Sequence, residues 1–206
     1  MTSSAFGGTV TAVAASLRQR KKAKARRDLE RSALRLFAKK GYAATSVDEI
    51  AAAVELSPRT FFRYFSSKED VVFASADEEL EALVAALGAV PEGLSPYRTL
   101  EAAAVAFARE LESRQDDMRV RFRLIKQNST LRNKAREKAA EWAGTVSACL
   151  AAREGREEAT QVDEQLALLV MSALWSALEA WGDNPEGDMV SDVLTALLES
   201  CRTALV

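Results

Sequence analysis

The sequence predicts an all-α protein with a small N-terminal helical domain and a larger C-terminal helical domain. Two helix starts lie close together between residues 46 and 58, and apolar residues recur at helical spacing from there onward. Glycine and proline fall mostly in breaks near residues 88–96, 155 and 182–187. A chain of 206 residues can hold one small domain and one larger domain.

The first of these helix starts lies at Ser46. Glu49 follows three residues later, the spacing of a capping box, in which each side chain bonds a backbone amide that the helix start leaves unpaired. We therefore expect a helix from about residue 47. Its buried face would be formed by apolar residues at helical spacing, namely Val47, Ile50, Ala51 and Val54.

The second helix start is Ser57 followed by Pro58. The serine hydroxyl suits the N-cap, and proline suits the first helical position, where its missing amide costs nothing. Phe61 and Phe65 are four residues apart and can anchor this helix to a core. The residues that then lie mainly on other faces are hydrogen-bond donors, Arg59, Thr60, Arg63 and Tyr64.

A third capped helix is expected to start at Ser66 with Glu69, which places Lys68 in its first turn. Short helices separated by about three residues predict a helix-turn-helix, whose second helix enters the major groove of DNA. An exposed arginine can fork onto guanine or grip a phosphate, and hydroxyl groups suit phosphates and base edges. The alternative is an ordinary helical hairpin whose arginines are only solvated.

A basic run precedes this motif and favours DNA binding. Residues 18–27 carry seven positive charges and no negative charge. Alone, such a run is usually a solvated tail, but beside a helix-turn-helix it is typical of an arm that follows phosphates or enters the adjoining minor groove. We predict a disordered basic tail over residues 1–21. The basic residues expected to contact phosphates are Arg20, Lys21, Lys22 and Lys24.

Residues 26–72 resemble the N-terminal domain of the TetR family of bacterial transcription regulators. The residues that carry the resemblance are Leu29, Ala33, Leu36, Phe37, Gly41, Thr45, Val47, Ile50, Ala51, Ser57, Thr60 and Phe65, with the run SSKE at 66–69. The resemblance implies a DNA-binding domain over 22–72 and a ligand-binding and dimerisation domain over 73–206. It also implies base or phosphate contacts from Arg59, Thr60, Arg63 and Tyr64, with Thr45, Ser46 and Lys68 on the DNA backbone and Ser57 and Pro58 at the start of the recognition helix.

Two positions depart from the family pattern. Glu55 stands where a glycine commonly lies between the two helices, and a left-handed turn there would cost roughly 1 kcal/mol. Phe62 stands where many relatives have a tyrosine whose hydroxyl bonds a phosphate. Phenylalanine is expected to keep the packing and lose that contact, for which Tyr64 or Tyr42 would compensate.

Charge divides the chain into two parts. Residues 1–70 hold 14 basic and 7 acidic side chains, a net charge of +7, whereas residues 71–206 hold 14 and 23, a net charge of −9. The positive part can neutralise phosphates and steer association with DNA. The acidic remainder is better suited to self-association or to binding small ligands.

The C-terminal part reads as about six helices. Their expected ranges are 71–87, 96–114, 116–126, 129–153, 162–181 and 189–205. Residues 116–126 alternate like a strand, but we prefer a helix because the rest of the chain is helical and two aspartates lie at its start.

Residues 162–181 are apolar almost all round, so this helix must be covered on two sides. One cover can be the domain core, and the other a second copy of the chain, in a homodimer contact through the last two helices. The resemblance to TetR regulators implies this dimer, a palindromic operator and a ligand cavity in the larger domain. Candidate ligand contacts are Phe107, Leu111, Met118, Arg121, Phe122, Ile125, Trp142, Met171 and Trp175, for each of which core packing is the alternative.

Residues 118–155 are also similar to the ligand domain of regulators associated with mycofactocin clusters, a subgroup linked to long-chain acyl-CoA. An apolar tunnel would take the acyl chain, and Arg121, Arg123 or Arg132 would meet a phosphate of the head group. The expected function is therefore a repressor that leaves its operator when a small apolar or acyl-CoA-like effector binds.

Other classes of function are disfavoured. The sequence contains no histidine, the commonest general base and metal ligand, so we expect no enzyme, no metal site and no cofactor. Cys149 and Cys201 lack metal-ligand spacing and fit a reducing cytoplasm. The apolar run 166–178 is too short to cross a bilayer, and no signal peptide is expected. The remaining rival is a helical adaptor without specific DNA binding.

Overall fold

The computed structural model describes residues 6–113, 115–183 and 187–204, and all the regular elements in these ranges are α-helices. This confirms the all-α prediction for the part of the chain that is described. In chain order the helices are α1 (Phe6–Lys40), α2 (Val47–Ala52), α3 (Pro58–Tyr64), α4 (Lys68–Val72), α5 (Ala76–Ala89), α6 (Pro96–Glu112), α7 (Gln115–Gln127), α8 (Ser129–Arg153), α9 (Gln161–Asp183) and α10 (Val190–Ala204). None of them is long and apolar enough to cross a membrane.

The chain folds as two compact units that divide between Ser75 and Ala76. The sequence had placed this boundary three residues earlier, between 72 and 73. The N-terminal unit contains α1 to α4, in which α1 packs against α2 and α4, and α2 packs against α3. Its apolar core is drawn from all four helices and includes Leu29, Ala33, Phe37, Ile50, Phe61, Phe65 and Val71.

The N-terminal segment differs from the sequence prediction. We expected a disordered tail over residues 1–21, whereas α1 already includes Phe6 and runs to Lys40. Residues 9–27 contain neither glycine nor proline, and most of them are alanine, lysine or arginine, which have high helix propensity. The basic run is therefore the continuation of a core helix, and only residues 1–5 of the predicted tail lie outside the described residues.

The prediction of a single helix over residues 71–87 is also wrong, because α4 ends at Val72 and α5 begins at Ala76. Two residues at the break form hydrogen bonds with side chains of α1. Arg26 Nη2 donates to the carbonyl oxygen of Ala74 at 3.0 Å, and the hydroxyl of Ser75 donates to the buried carboxylate of Glu30 at 2.8 Å. The bond from Arg26 satisfies a backbone carbonyl group at the break, and the bond between Ser75 and Glu30 joins two side chains.

The C-terminal unit is organised around α9, which packs against α6, α7, α8 and α10. Its buried stripe repeats at helical spacing and includes Ala167, Val170, Met171, Leu174, Ala177, Leu178 and Trp181. Residues 116–126 lie in α7, so the helical interpretation of that alternating segment is confirmed.

The end of α9 lies against α7 at unusually short range. A Cβ atom placed on Gly182 would lie 3.1 Å from Cβ of Phe122 and 3.4 Å from the backbone nitrogen of Arg123. Arg119 stacks on the ring of Trp181 at 4.2 Å and donates to its carbonyl oxygen at 2.6 Å. A methyl group at position 182 would therefore press on α7, which would have to shift by a few tenths of an ångström.

We expect Gly182→Ala to lower the free energy of unfolding by roughly 1–2 kcal/mol, because the added methyl group forces α7 and α9 apart. Gly144→Ala is the matched control, since Gly144 lies inside α8 with nothing within 4 Å of its Cβ position. That change should raise stability by about 0.5–1 kcal/mol through helix propensity. Urea denaturation followed by circular dichroism measures both, and equal effects of the two substitutions would contradict the packing argument.

Candidate nucleic-acid interface and ligand-binding domain

The start of α2 has the predicted capping box. The amide of Glu49 donates to Oγ of Ser46 at 3.2 Å, and the amide of Ser46 donates to Oε2 of Glu49 at 2.8 Å. Lys40 at the end of α1 also pairs with the Glu49 carboxylate. The hydrogen bond from Lys40, followed by those from Ser46, lowers the pKa of Glu49 to about 2, so this carboxylate is charged at neutral pH.

The turn between α2 and α3 is closed by the backbone. The amide of Leu56 donates to the carbonyl oxygen of Ala51 at 2.9 Å, and the amide of Glu55 donates to that of Ala52 at 3.1 Å. This is the Schellman pattern, which needs a left-handed residue, and Glu55 accordingly has φ of 57°. The same pattern ends α8, where the left-handed residue is Gly155 with φ of 73°. Glu55 therefore occupies a position for which glycine is the unstrained choice.

The next helix, α3, begins as predicted. Ser57 is its N-cap, with Oγ accepting from the amide of Thr60 at 3.1 Å, and Pro58 is the first helical residue. Phe61 and Phe65 are buried, with ring centroids 5.4 Å apart, and they anchor the helix to the core. The opposite face of α3 is therefore turned to solvent.

The α3 side chains expected to contact DNA differ in exposure. Arg59 and Arg63 are exposed, whereas Thr60 and Tyr64 are half-buried. Arg63 stacks on the ring of Tyr64 at 5.0 Å and donates to its hydroxyl at 3.3 Å. A guanidinium held in this way keeps other donors for an external acceptor, because arginine carries five.

The third helix starts one residue later than predicted. Ser67, not Ser66, is the N-cap of α4, because its Oγ accepts from the amide of Asp70 at 3.2 Å. The hydroxyl of Ser66 instead bonds the carboxylate of Asp70. The two serines are adjacent, and both can bond Asp70, so the sequence spacing alone does not decide between them.

The side chain of Lys68 binds the loop between α1 and α2. Its Nζ donates to the carbonyl oxygens of Tyr42 at 2.8 Å and Thr45 at 3.0 Å, and it lies 4.2 Å from the centre of the Tyr42 ring. The hydroxyl of Tyr42 bonds the Glu69 carboxylate, and burial together with that bond raises the pKa of Tyr42. Both groups are thus engaged within the N-terminal unit.

The predicted DNA-binding residues are brought to the surface unequally. Those that are exposed are Arg20, Lys21, Lys22, Lys24, Ser46, Ser57, Pro58, Arg59 and Arg63. Thr45 is only 2% exposed, and its hydroxyl donates to the carbonyl oxygen of Gly41 at 2.9 Å. The structure therefore places Thr45 inside the loop and not on the surface that carries the arginines.

Phe62 differs from the expectation that it would keep the packing. Its side chain is 56% exposed, and the centre of its ring lies 5.5 Å from that of Phe61 in an edge-to-face arrangement. Sequence reasoning also missed Arg26, which stacks on Phe65 at 5.2 Å. No local signal marks Arg26, since its partners lie about 40 or more residues away along the chain.

The candidate ligand residues lie on α6, α7, α8 and α9. Most of them are buried, while Trp142 and Trp175 are half-buried. They form two edge-to-face aromatic pairs, Phe107 with Trp142 at 6.1 Å and Phe122 with Trp175 at 5.3 Å. Packing between these aromatic rings, without any ligand, therefore explains part of the burial of the four residues.

The three arginines expected near an acyl-CoA head group have partners in the protein. Arg121 is 3% exposed, forms a buried ion pair with Glu79 and lies 3.2 Å from Sδ of Met118. Arg123 Nη2 donates to the carbonyl oxygen of Gly182 at 3.4 Å, and Arg132 donates to that of Lys126. Arg121 is therefore part of the domain core, whereas Arg123 and Arg132 lie nearer the surface.

Comparison with known families separates the same two parts of the chain. Residues 31–74 match the family of bacterial regulatory proteins named for TetR, and residues 94–205 match the MftR C-terminal domain. The chain belongs to the TetR family. The resemblance inferred from the sequence is thereby confirmed in both parts.

Two TetR-family relatives illustrate the match in sequence. The HTH-type transcriptional regulator TcmR of Streptomyces glaucescens is 38% identical over 145 residues, which cover 68% of this chain and 64% of TcmR. A regulator named MftR, for mycofactocin biosynthesis, from Mycobacterium tuberculosis is 30% identical over 149 residues, which cover 72% of this chain and 75% of MftR. The chain thus spans slightly less than two thirds of the length of TcmR.

A solved TetR-family structure shows the same fold. The repressor FadR of Thermus thermophilus, crystallised with lauroyl-CoA, is 20% identical and has a TM-score of 0.57. The similarity covers 84% of this chain and 91% of FadR. The order of helices is therefore that of TetR-family regulators.

The left-handed Glu55 predicts an unusual stabilising substitution. Glu55→Gly should raise the free energy of unfolding by about 0.5–1 kcal/mol, because glycine adopts positive φ without steric cost. Glu55→Ala removes the same carboxylate but retains the strain, so it should leave stability nearly unchanged. Thermal and urea unfolding of the full chain measure both, and a stabilisation shared by alanine would trace the effect to charge instead.

Proposed function

We propose that the protein binds a palindromic DNA operator as a homodimer, represses transcription there and leaves the operator when an apolar effector binds. The observation that supports DNA reading most strongly is the outward face of α3. Ser57 and Pro58 fix the start of this helix, Phe61 and Phe65 hold it from behind, and Arg59 and Arg63 point away from the core into solvent. A short helix presented in this way can lie in the major groove.

The two arginines of α3 and the basic residues of α1 would make different contacts with DNA. Arg59 and Arg63 are four residues apart on one exposed face, which suits forked contacts to guanine or to adjacent phosphates. Arg20, Lys21 and Lys24 are exposed on α1 and can neutralise phosphates. The net charge of +7 over residues 1–70 attracts DNA to this part of the chain.

Exposed apolar residues on α9 and near α10 support a homodimer through the last two helices. Val162 is 66% exposed, Leu168 is 43% exposed, and Met189, directly before α10, is 40% exposed. Exposed side chains of this size are suited to burial against a second copy across a two-fold axis. A two-fold dimer places two α3 helices on successive half-sites and favours an operator of matching symmetry.

The effector is best matched by an acyl-CoA. The C-terminal half of the chain matches the MftR C-terminal domain, and the FadR of similar fold was crystallised with lauroyl-CoA. Aromatic residues of α6 to α9, with Leu111, Ile125 and Met171, would contact the acyl chain. Arg123 and Arg132 bond backbone carbonyl groups near the surface and can exchange them for a phosphate, whereas Arg121 is committed to Glu79.

Release from DNA would follow from a shift between two arrangements of the dimer. The effector must bind one arrangement more tightly, and that arrangement must space the two α3 helices in a way that no longer matches the operator. Repression is the usual outcome when a protein occupies an operator, and the cytoplasm, where bacterial DNA lies, is the place of action. A catalytic role is not proposed, because the chain has no histidine and the relatives that it matches are regulators.

The rival function is a helical adaptor without specific DNA binding. The two hypotheses make different predictions for Arg59 and Arg63. A regulator needs both arginines to bind DNA, whereas an adaptor would bind its partner without them. No observation in the structure favours the adaptor, so it serves as the contrary outcome of the DNA-binding experiment.

The first experiment selects a duplex for the full-length protein from a random-sequence library and measures its affinity by fluorescence anisotropy over a salt series. Arg59→Ala and Arg63→Ala should each weaken binding by roughly 5- to 150-fold per half-site, the loss expected for one good base contact. Arg109→Ala, an exposed arginine on α6, is the control and should leave affinity unchanged. Sedimentation of the complex should give two chains per duplex.

Failure to select any preferred sequence, with Arg59→Ala and Arg63→Ala behaving like the native chain, would favour the adaptor. Tight binding by a single chain per duplex would instead support sequence-specific DNA binding and contradict the proposed homodimer.

The effector is tested on the selected duplex. Lauroyl-CoA, kept below its micelle-forming concentration, should weaken DNA binding at least tenfold, which corresponds to a coupling free energy of about 1.4 kcal/mol or more. Coenzyme A without an acyl chain should have no effect, because the apolar contacts are then missing. An unchanged affinity with lauroyl-CoA would remove acyl-CoA from the proposal and leave DNA binding intact.

A further inference from the structure

Phe62 is an exposed aromatic residue on the helix that carries Arg59 and Arg63. Among the residues whose side chains the structure describes, it is the only phenylalanine or tryptophan with more than half of its surface open to solvent. Phe61 beside it is fully buried, and Phe65 is almost fully buried. The exposure of Phe62 is therefore a property of its place on α3 and not of a loosely packed helix.

The helical repeat places Phe62 on the exposed side of α3, between Pro58 and Arg59. Arg59 lies three residues before it, Pro58 four residues before it, and Arg63 directly after it, and all of them are exposed. The edge-to-face contact with Phe61, at 84° between the ring planes, supports the Phe62 ring from below. The Phe62 ring thus lies beside Arg59 on the exposed side of α3, with more than half of its surface open to solvent.

The chemistry of the side chain limits what it can recognise. A benzyl ring has no hydrogen-bonding atom, so Phe62 cannot bond a phosphate or the polar edge of a base. In the major groove the apolar feature that distinguishes one base pair from another is the C5-methyl group of thymine. A ring beside a guanidinium group that takes polar contacts is suited to pack on this methyl group.

We propose that Phe62 is a specificity-determining residue that reads one thymine in each operator half-site by packing its ring on the C5-methyl group. This inference rests on the proposed function, because it requires α3 to lie in the major groove. It goes beyond that function because it assigns an apolar base contact to Phe62, whose side chain cannot form a hydrogen bond. A ring that rests only on deoxyribose would also be exposed, but it would carry no preference for thymine.

The test removes the methyl group without changing any hydrogen bond of the base pair. In the duplex selected by the native full-length protein, each thymine is replaced in turn by deoxyuridine, in both half-sites at once, and affinity is measured by anisotropy. At one position the native protein should lose about fourfold per half-site, the factor that corresponds to about 0.8 kcal/mol for one buried methylene group. Phe62→Ala should bind the thymine duplex more weakly and lose nothing further on deoxyuridine at that position.

Two further variants separate this contact from general damage to the interface. Phe62→Tyr keeps the ring and should keep the sensitivity to deoxyuridine, whereas Arg59→Ala should bind weakly and also keep that sensitivity. Because Phe62 neutralises no phosphate, Phe62→Ala should leave the salt dependence of binding unchanged. Circular dichroism of each variant checks that the helices are intact.

The inference is overturned if the native protein and Phe62→Ala respond equally to deoxyuridine at every position, or if no thymine methyl group affects the native protein. In either case a selected operator still shows that the proposed function holds. If no operator can be selected, the proposed function itself fails, and the two failures are thereby distinguished.

Discussion

The position of α3 depends on a turn of a few residues closed by two backbone hydrogen bonds. The bonds from Leu56 to Ala51 and from Glu55 to Ala52 end α2 and turn the chain so that Ser57 can cap the next helix. Everything that α3 presents to solvent follows from this direction, because Phe61 and Phe65 then fall on the core. A strained residue at 55 is tolerated because the surrounding caps and the apolar anchors over-determine the turn.

Other charged side chains of the N-terminal unit bond its loops and breaks. Lys68 bonds two carbonyl groups of the loop before α2, while Arg26 and Glu30 bond the break between α4 and α5. Lys68 and Arg26 thereby bond backbone carbonyl groups outside the regular helices, and Glu30 accepts from the hydroxyl of Ser75. Several basic residues of a DNA-binding domain are thus structural, and charge alone does not mark the interface.

In the C-terminal unit the corresponding constraint is the contact between α7 and α9. Gly182 lets the two backbones approach, Arg119 covers Trp181, and Lys126 pairs with Asp183 at the end of α9. Cations at this end are favourable because the last carbonyl groups of a helix carry partial negative charge. The buried pair of Arg121 with Glu79 then connects α7 to α5, and loss of either partner would leave a charge inside the domain.

The sequence was most informative where a structural signal is local. The capping box at Ser46, the cap and proline before α3, and the helical spacing of α6 to α10 are read within one or two turns, and the structure has these elements. Contacts between distant residues, such as Arg26 with Ala74, leave no local pattern. Two adjacent serines precede α4, and their spacing alone does not show which of them is the N-cap. Phe62 was misjudged because aromatic residues are usually buried, and only the direction of α3 shows that this one is not.

The helical state of the basic run has a consequence for the shape of the protein's footprint on DNA. A disordered arm can bend into a minor groove, but residues 20–40 form part of one helix and span roughly 30 Å at 1.5 Å per residue. A rod of this length is close to one turn of the double helix, about 34 Å. The exposed basic residues Arg20, Lys21, Lys22 and Lys24 are carried on this helix, so the phosphates that they would reach in the proposed complex are set by the direction of α1 and not by the bending of a flexible tail.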